Sequence, residues 1–312
     1  MFSMFAQAPE VPHAAQPAAA FNPGEVILEH VSNSSHDQAL IHLPPVFGID
    51  FSVTKHVFML WLVAALIFVT VTALVRRYVR QQRLVPSGAG TLLEIAVGFV
   101  RDGIVRPNVG RKWTDAYTPL LLTFFLFILG ANVIGLVPIF DVLALLDHYV
   151  IHSGEHSFLQ RLIHGGATAT GNFNVTAGLA VISFFAIIIA GTRAHGFVQH
   201  WVNLVPAGMA WPIYIILIPI EIISMFVKPF ALTMRLAANM TGGHIAILAI
   251  MSFIFIFAER VSAGFGMGVG LFGSVPLSVA VSGLELIVVL VQAYVFTLLT
   301  AVFIGMAIHA HH

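Results

Sequence analysis

The sequence contains no cysteine and few charged residues. Without cysteine the chain has no disulfide framework and no thiolate to serve as a metal ligand or nucleophile. Only 9% of its 312 residues are Asp, Glu, Lys or Arg, whereas soluble globular domains contain about 25% charged residues. The composition therefore excludes an ordinary soluble domain.

Apolar residues take the place of the missing charges and make up 58% of the chain. The composition predicts an all-α, polytopic protein whose surroundings are the lipid bilayer, because a spanning helix needs about 20 mostly apolar residues. Fourteen basic residues balance fourteen acidic ones, so net charge gives no reason to expect a nucleic-acid partner. We predict no cofactor. Residues 1–24, rich in Ala and Pro, are predicted to be a mobile tail, and residues 25–312 a single membrane-embedded domain.

Long apolar runs predict where the chain crosses the membrane. A basic cluster that begins at Arg76 follows the first run, which places this end in the cytoplasm by the positive-inside rule. Residues 92–105 are interrupted by charges and are predicted to form an amphipathic helix on the cytoplasmic surface. The predicted spans lie near residues 57–75, 116–140, 175–192, 204–258 and 275–308.

The fourth run, residues 204–258, is too long for one upright span. As a single helix its 55 residues would extend about 80 Å, whereas the hydrocarbon core is about 30 Å thick. Either the run crosses twice, or one helix bent at Pro212, Pro219 and Pro229 crosses with a strong tilt. The sequence alone leaves both arrangements open. A single crossing gives five spans, with the last two as a tilted hairpin.

Polar side chains within this run are the main functional signal. Glu221, Lys228 and Arg235 are spaced seven apart and share one face of a helix. Asn239 follows Arg235 by four residues and joins that face. His244 lies on the opposite side, about 13 Å further along the axis. Ionisable residues in a membrane span are costly and mark ion or proton paths.

The last run contains a second polar pair, Glu285 and Gln292, again seven residues apart. In an antiparallel hairpin, residues at the same depth have residue numbers with a nearly constant sum. The sum for Arg235 and Gln292 differs from that for His244 and Glu285 by only two residues, about 3 Å of helix rise. We therefore expect Gln292 near Arg235, and His244 beside Glu285. Histidine and glutamate can pass protons on, whereas a guanidinium keeps its charge.

The segment 234–244, Met-Arg-Leu-Ala-Ala-Asn-Met-Thr-Gly-Gly-His, followed by Glu285 and Gln292, resembles the last two membrane helices of subunit a of F-type ATP synthase. The similarity covers most of residues 25–310. It implies a proton-translocating stator subunit that performs no nucleotide chemistry. The implied partners are a rotating c-ring and peripheral-stalk b-type subunits. The implied location is the bacterial inner (plasma) membrane or an equivalent energy-transducing membrane.

The resemblance also implies a role for each polar residue. In that family a proton enters through one half-channel, protonates a ring carboxylate, and leaves through a second half-channel after nearly a full rotation. The sequence does not distinguish H⁺ from Na⁺ as the translocated ion, because that selectivity depends largely on the ring. The resemblance implies that Arg235 is the barrier between the two half-channels and that Asn239 and Gln292 are its polar neighbours. It places His244 and Glu285 on the entry path and Glu221 on the cytoplasmic exit path.

Structural explanations compete with these roles for single residues. Lys228 could extend to the membrane boundary, and Glu221 could be a buried acid paired with Lys228. Asn239 and Gln292 could hold helices together by hydrogen bonding. An arginine in hydrocarbon is harder to explain in this way, because an unpaired guanidinium there is costly.

A membrane metallohydrolase is the alternative function. The loop between the second and third runs matches the His-x-x-Glu-His pattern of zinc peptidases. That pattern requires a continuous helix, and Ser153 and Gly154 in its middle disfavour one. We therefore expect no metal site here. The residues concerned are His148, His152, Glu155 and His156.

Overall fold

The computed structural model describes residues 22–24, 41, 43, 52–81, 88–137, 143, 146, 147, 149, 169–202 and 211–309. Within these residues the regular structure is helical, apart from one antiparallel bridge between Ile41 and Val53. Residues 1–21 of the predicted tail and all four residues of the proposed metal loop lie outside the described residues.

Nine α-helices account for most of the described chain, and short helical turns join some of them. The turns are π-helical at Phe99–Val105 and Gly270–Ser274, and 3₁₀ at Ala169–Gly171. The helices are α1 (Lys55–Gln81), α2 (Ala89–Gly98), α3 (Arg106–Val109), α4 (Arg111–Leu136), α5 (Phe173–His195), α6 (Phe197–Val202), α7 (Trp211–Arg260), α8 (Ala263–Val269) and α9 (Val275–Ile308).

Five helical segments of the described chain are long and apolar enough to cross a membrane, namely α1, α4, α5, α7 and the continuous stretch from α8 through α9. The prediction of an all-α, polytopic membrane protein is therefore confirmed. The second span begins at Arg111, five residues before the uncharged run, because charged side chains at a helix end can reach the membrane boundary.

The long fourth run forms one helix, α7, of 50 residues. Its length of about 75 Å is more than twice the thickness of the hydrocarbon core, so a single crossing requires a strong tilt. Pro219 and Pro229 lie inside the helix, which membrane helices tolerate when neighbouring groups satisfy the freed backbone. Of the two arrangements left open by the sequence, the structure forms the single helix.

The glycine-rich segment 262–274 has a composition that favours an irregular connection, yet it is helical from Ala263 onward. The Ser262 hydroxyl caps α8 by accepting a hydrogen bond from the Phe265 N–H at 3.2 Å. Gly266 lies against the end of α7, where a Cβ atom would come within 2.6 Å of the Ala258 Cβ. Glycine is a poor helix former, but here it permits the close approach that returns the chain into the membrane beside α7.

The stretch from α2 to α3 includes the residues predicted to form the amphipathic helix, and it is helical throughout. Val100 and Ile104 are fully buried, whereas Leu92 and Ile95 are exposed. Arg101 lies outside the buried face, and its guanidinium donates a hydrogen bond to Asp115 of α4 at 3.2 Å. The segment therefore packs on α4 with one face and presents apolar side chains with another.

Helix α9 lies at the centre of the bundle. It packs against α4, α5 and α7, and the span to which it belongs is the most buried of the five. Phe296 meets Phe124 of α4 edge to face, with ring centroids 5.5 Å apart, and Ser183 of α5 donates a hydrogen bond to Thr300 at 3.1 Å. Several polar side chains of this helix, among them Gln292, Thr297 and Thr300, are therefore held inside the protein.

Helix α6 folds back against the end of α5. Gly196 makes the turn with φ at +88°, a conformation that favours glycine. The buried His200 ring packs directly on Gly191 of α5. Burial, and secondarily the nearby His195, lower the pKa of His200, so its imidazole is held neutral in this contact.

We predict that Gly305→Ala destabilises the bundle whereas Gly283→Ala on the same helix does not. A Cβ at position 305 would collide with the backbone carbonyl oxygen of Asn108, while a Cβ at position 283 meets nothing within 4 Å. Overpacking of this kind costs about 1–3 kcal/mol. Thermal unfolding of the purified chain in detergent should show a lower Tm for Gly305→Ala only. Equal Tm values for the two variants would contradict the close contact between α9 and α3.

Candidate functional site

Helices α7 and α9 are joined by a hydrogen bond between two of the predicted site residues. The amide Nδ2 of Asn239 donates to Oε1 of Gln292 at 3.1 Å. Gln292 is buried, with 4% of its surface exposed, whereas Asn239 is exposed along one edge. The side-chain contact fixes the register of the two helices one turn beyond Arg235.

Arg235 lies on an exposed face of α7. Leu232 and Leu236, its neighbours on the other side, are buried in the core. Within the part of the chain that the structure describes, Arg235 forms no ion pair. The guanidinium thus points away from the bundle, onto a surface that the described residues leave uncovered.

Glu285 has the opposite setting, inside the bundle. It is 4% exposed, and neither carboxyl oxygen has a hydrogen-bond partner among the described residues. The carboxyl group lies directly on Gly243, where a Cβ atom would come within 2.5 Å of Oε1 and 2.9 Å of Cδ. Only glycine leaves room for it. His244 follows in sequence, so Glu285 lies at the depth of His244, as the helix register predicts.

A small cavity brings four polar side chains together. Its volume of about 10 Å³ is close to the smallest that can hold a single water molecule. Apolar residues of α7 and α9 complete its wall. The polar residues that line it are Asn132, Asn239, Glu285 and Gln292. The buried carboxyl group and the interhelical hydrogen bond therefore share one space.

Asn132 was not among the site residues predicted from the sequence. It is 1% exposed and accepts a hydrogen bond from the Thr170 hydroxyl at 2.5 Å. The same 3₁₀ turn accepts a bond at the Gly171 carbonyl from the Thr241 hydroxyl of α7, at 3.1 Å. The only local signal is an amide side chain near the end of an otherwise apolar run, and it does not reveal its partner 38 residues away.

Glu221 and Lys228 lie in the first half of α7 and are partly buried. The ammonium group of Lys228 lies 5.5 Å from the centre of the Phe303 ring of α9. Among the described residues no ion pair joins Lys228 to Glu221. The suggested acid and amine pair is therefore not formed. Lys228 is instead held over an aromatic face, a favourable position for a cation.

The metal hypothesis receives no support. Its four loop residues lie outside the described residues, and the searched part of the chain contains no group of three or more His, Cys, Asp or Glu side chains placed to hold a metal ion.

The fold and the site define a class of protein. Buried or membrane-embedded ionisable residues occur mainly along ion and proton paths. Here an arginine on an uncovered helix face and a carboxyl group in the adjoining interior occupy the last two spans of an all-α bundle. These features define a membrane protein of ion or proton translocation.

Comparison with known proteins identifies the family. The model of the ATP synthase A chain matches residues 57–305. The chain is 41% identical over 292 residues to ATP synthase subunit a 2 of Chlorobium luteolum, covering 91% of this chain and 75% of the relative. It is 38% identical over 291 residues to ATP synthase subunit a 2 of Prosthecochloris aestuarii, covering 91% and 79%. It is 37% identical over 278 residues to ATP synthase subunit a of Chloroherpeton thalassium, covering 88% of this chain and 72% of the relative. The chain belongs to the ATP synthase A chain family.

We predict that Asn239 and Gln292 are energetically coupled. Alanine at either position removes the interhelical hydrogen bond, and bonds of this type in membrane helices contribute about 0.6 kcal/mol on average. A double-mutant cycle followed by denaturation in detergent should return a coupling energy of about this size. A control cycle pairs Gln292 with Ser252, whose hydroxyl bonds to the Leu248 carbonyl of its own helix, and should show none. Equal coupling in both cycles would refute the direct bond.

Proposed function

We propose that this chain is the proton-translocating stator subunit of the membrane sector of F-type ATP synthase, and that Arg235 separates two half-channels facing a rotating c-ring. The observation that carries the proposal is that the ionisable residues of the last hairpin lie on two different sides of α7. Arg235 occupies an uncovered face of α7, while Glu285 lies inside against Gly243. Between these two levels, Asn239 and Gln292 form the interhelical bond. Proton transfer inside the subunit and charge exchange with a partner thus take place on different sides of one helix.

Arg235 acts on the ring through its permanent charge. A ring carboxylate that meets the guanidinium is stabilised as the anion, so it releases its proton before it passes. Beyond the arginine the carboxylate faces hydrocarbon, where a bare charge is costly, and it must take up a proton first. The same positive charge repels a proton that would cross directly between the two paths. Arg235 therefore couples proton passage to movement of the ring.

The surface around Arg235 suits a closely packed helix. The exposed neighbours one turn before, one turn beyond and two turns beyond it are Ala231, Ala238 and Gly242. Small side chains allow the backbones of two membrane helices to approach closely. A ring helix can therefore bring its carboxyl group to the guanidinium. The extended, uncovered face of α7 is the surface that we assign to the c-ring.

The entry path leads from the outer side to the level of Glu285. His244 and Glu285 are the groups that accept and pass on protons, because imidazole titrates near neutral pH and a carboxyl group can carry a proton. The cavity that Glu285 shares with Asn132 and Gln292 is just large enough to hold one water molecule beside these polar groups. This route ends beside Asn239, one helical turn from the arginine.

The exit path runs toward the cytoplasmic end of α7. Glu221 lies 14 positions before Arg235, which is about 21 Å along the helix. Its carboxyl group receives protons released at the arginine and delivers them to the cytoplasmic face. Lys228, held over Phe303, places a positive charge between the two residues.

The assembly context follows from the same proposal. Subunit a requires partners in the membrane sector, and we assign to this chain a c-ring and peripheral-stalk b-type subunits. We place it in the bacterial inner (plasma) membrane or an equivalent energy-transducing membrane. The translocated ion is H⁺, since imidazole and carboxyl groups along the entry side suit proton transfer.

We predict that Arg235→Ala abolishes ATP-driven proton pumping, because it removes the charge that unloads the ring and blocks the leak. The measurement is fluorescence quenching of a pH dye in inverted vesicles that contain the whole synthase. Arg260→Ala, at the far end of the same helix, is the control and should pump normally. Normal pumping by an assembled Arg235→Ala synthase would refute the proposal. Pumping that requires sodium and survives a protonophore would identify Na⁺ as the ion.

We predict that Gly243→Ala slows proton passage about tenfold or more, since the added methyl group displaces the Glu285 carboxyl and small misplacements in such sites are costly. Gly178→Ala on α5 meets nothing within 4 Å and serves as the matched control. Passive proton flux through vesicles stripped of the soluble ATPase is the measurement, with assembly checked by immunoblotting. Equal flux in the two variants would remove Glu285 from the path.

A further inference from the structure

A cleft at the cytoplasmic end of the bundle lies far from the proton site. It has a volume of about 280 Å³ and lies where the α3–α4 turn meets the ends of α5 and α9. The residues that line it include Gly110, Arg111, Lys112, Trp113, Ala194 and His309. Sixteen positions of α9 separate Gln292 from Ile308 at the cleft, which is about 24 Å of helix. None of the roles assigned above uses it.

The cleft carries uncompensated positive charge. Arg111 and Lys112 are exposed, and neither forms an ion pair with a carboxylate in the described part of the chain. Asp115, the acid that follows them on α4, pairs with Arg101 at 3.2 Å. Arg193 lies in the last turn of the adjoining helix α5. A ligand in the cleft therefore meets an excess of cations.

Backbone groups around the cleft add to this preference for anions. Helix α4 starts at Arg111, directly after the lining residue Gly110. The Trp113 N–H donates to the Gly110 carbonyl at 3.2 Å, but no side chain caps the N–H groups of Arg111 and Lys112 before it, and such groups attract anions. Two of the opposing carbonyl groups at the end of α9 are already occupied. His195 Nε2 donates to the Ile308 carbonyl at 2.8 Å, and His309 Nδ1 donates to the Gly305 carbonyl at 3.0 Å. The start of α4 thus offers donors at the cleft, while two acceptors at the end of α9 are engaged.

Aromatic residues place the cleft at the membrane boundary. The Lys112 ammonium lies 5.4 Å from the centre of the Trp113 ring, and Trp113 packs against Tyr117 with centroids 6.2 Å apart. Trp and Tyr collect where hydrocarbon meets the headgroup region. The ligand chemistry that fits both features is a phosphate group at the depth of lipid headgroups.

We propose that this cleft binds a phosphate group, supplied by the headgroup of an anionic phospholipid of the cytoplasmic leaflet. Arg111 and Lys112 hold the phosphate oxygens, the free N–H groups of α4 add hydrogen bonds, and Trp113 lies beside the acyl-chain boundary. The bound lipid connects the start of α4 to the ends of α5 and α9. It therefore fastens the cytoplasmic end of the central helix.

The test is native mass spectrometry of the purified synthase with phosphatidylglycerol or phosphatidylcholine added in detergent. The variant is Arg111→Gln with Lys112→Gln. The matched control is Arg77→Gln with Arg80→Gln, which removes two exposed charges from the same side of the membrane. Each basic residue near a membrane surface contributes about 1 kcal/mol, so the variant should bind phosphatidylglycerol about tenfold to thirtyfold more weakly. The control should bind it as the wild type does.

A charge-conserving variant, Arg111→Lys with Lys112→Arg, should retain binding and guards against a folding defect. Adding inorganic phosphate distinguishes the two sources of the ligand. Phosphate that displaces bound phosphatidylglycerol only at high concentration supports the lipid. Displacement by phosphate without any preference for phosphatidylglycerol over phosphatidylcholine overturns the lipid as the source. Equal binding by wild type and the Arg111/Lys112 double variant, or equal loss in the Arg77/Arg80 control, overturns the site itself.

Discussion

The cost of polar groups in hydrocarbon is the constraint on which the rest of this structure depends. It requires the membrane-spanning backbone to be helical, and it requires each embedded side chain with charge or hydrogen-bonding capacity to have a place prepared for it. Helix α9 meets this requirement by lying at the centre, where α4, α5 and α7 surround it. Gln292 is bonded to Asn239, and Thr300 is bonded to Ser183. Among the described residues two are exceptions: the Glu285 carboxyl group is enclosed without a hydrogen-bond partner, and Arg235 remains on a surface that the described chain leaves open.

Sequence reasoning succeeded where a pattern is local. Runs of apolar residues predicted the five spans, and α9 begins and ends at the residues expected for the last of them. The helix register of the last hairpin also followed from sequence, because the spacing of polar residues on two antiparallel helices fixes their relative depth. It placed Glu285 at the depth of His244. The individual roles of the six site residues remain predictions, since they concern proton movement and a partner.

The features that sequence reasoning missed depend on contacts between distant segments. Asn132 became part of the site through a turn that lies 38 residues further along the chain. Whether α7 crosses once or twice depended on whether Pro219 and Pro229 end the helix, and membrane helices tolerate proline when the freed backbone groups are satisfied. The glycines between α7 and α9 suggested an irregular connection, yet Gly266 serves close packing within a helix. Local preference is a weak guide wherever tertiary contacts decide.

The unbroken course of α7 has a mechanical consequence. Under the function proposed above, a rotor exerts a sideways load on the helix that faces it, which is α7. A helix with a break in the middle would yield there as a hinge. Because α7 is continuous from Trp211 to Arg260, a sideways force at Arg235 is transmitted along the helix to both of its ends. In the proposed role, stiffness along this one element keeps the guanidinium in position while the rotor moves past.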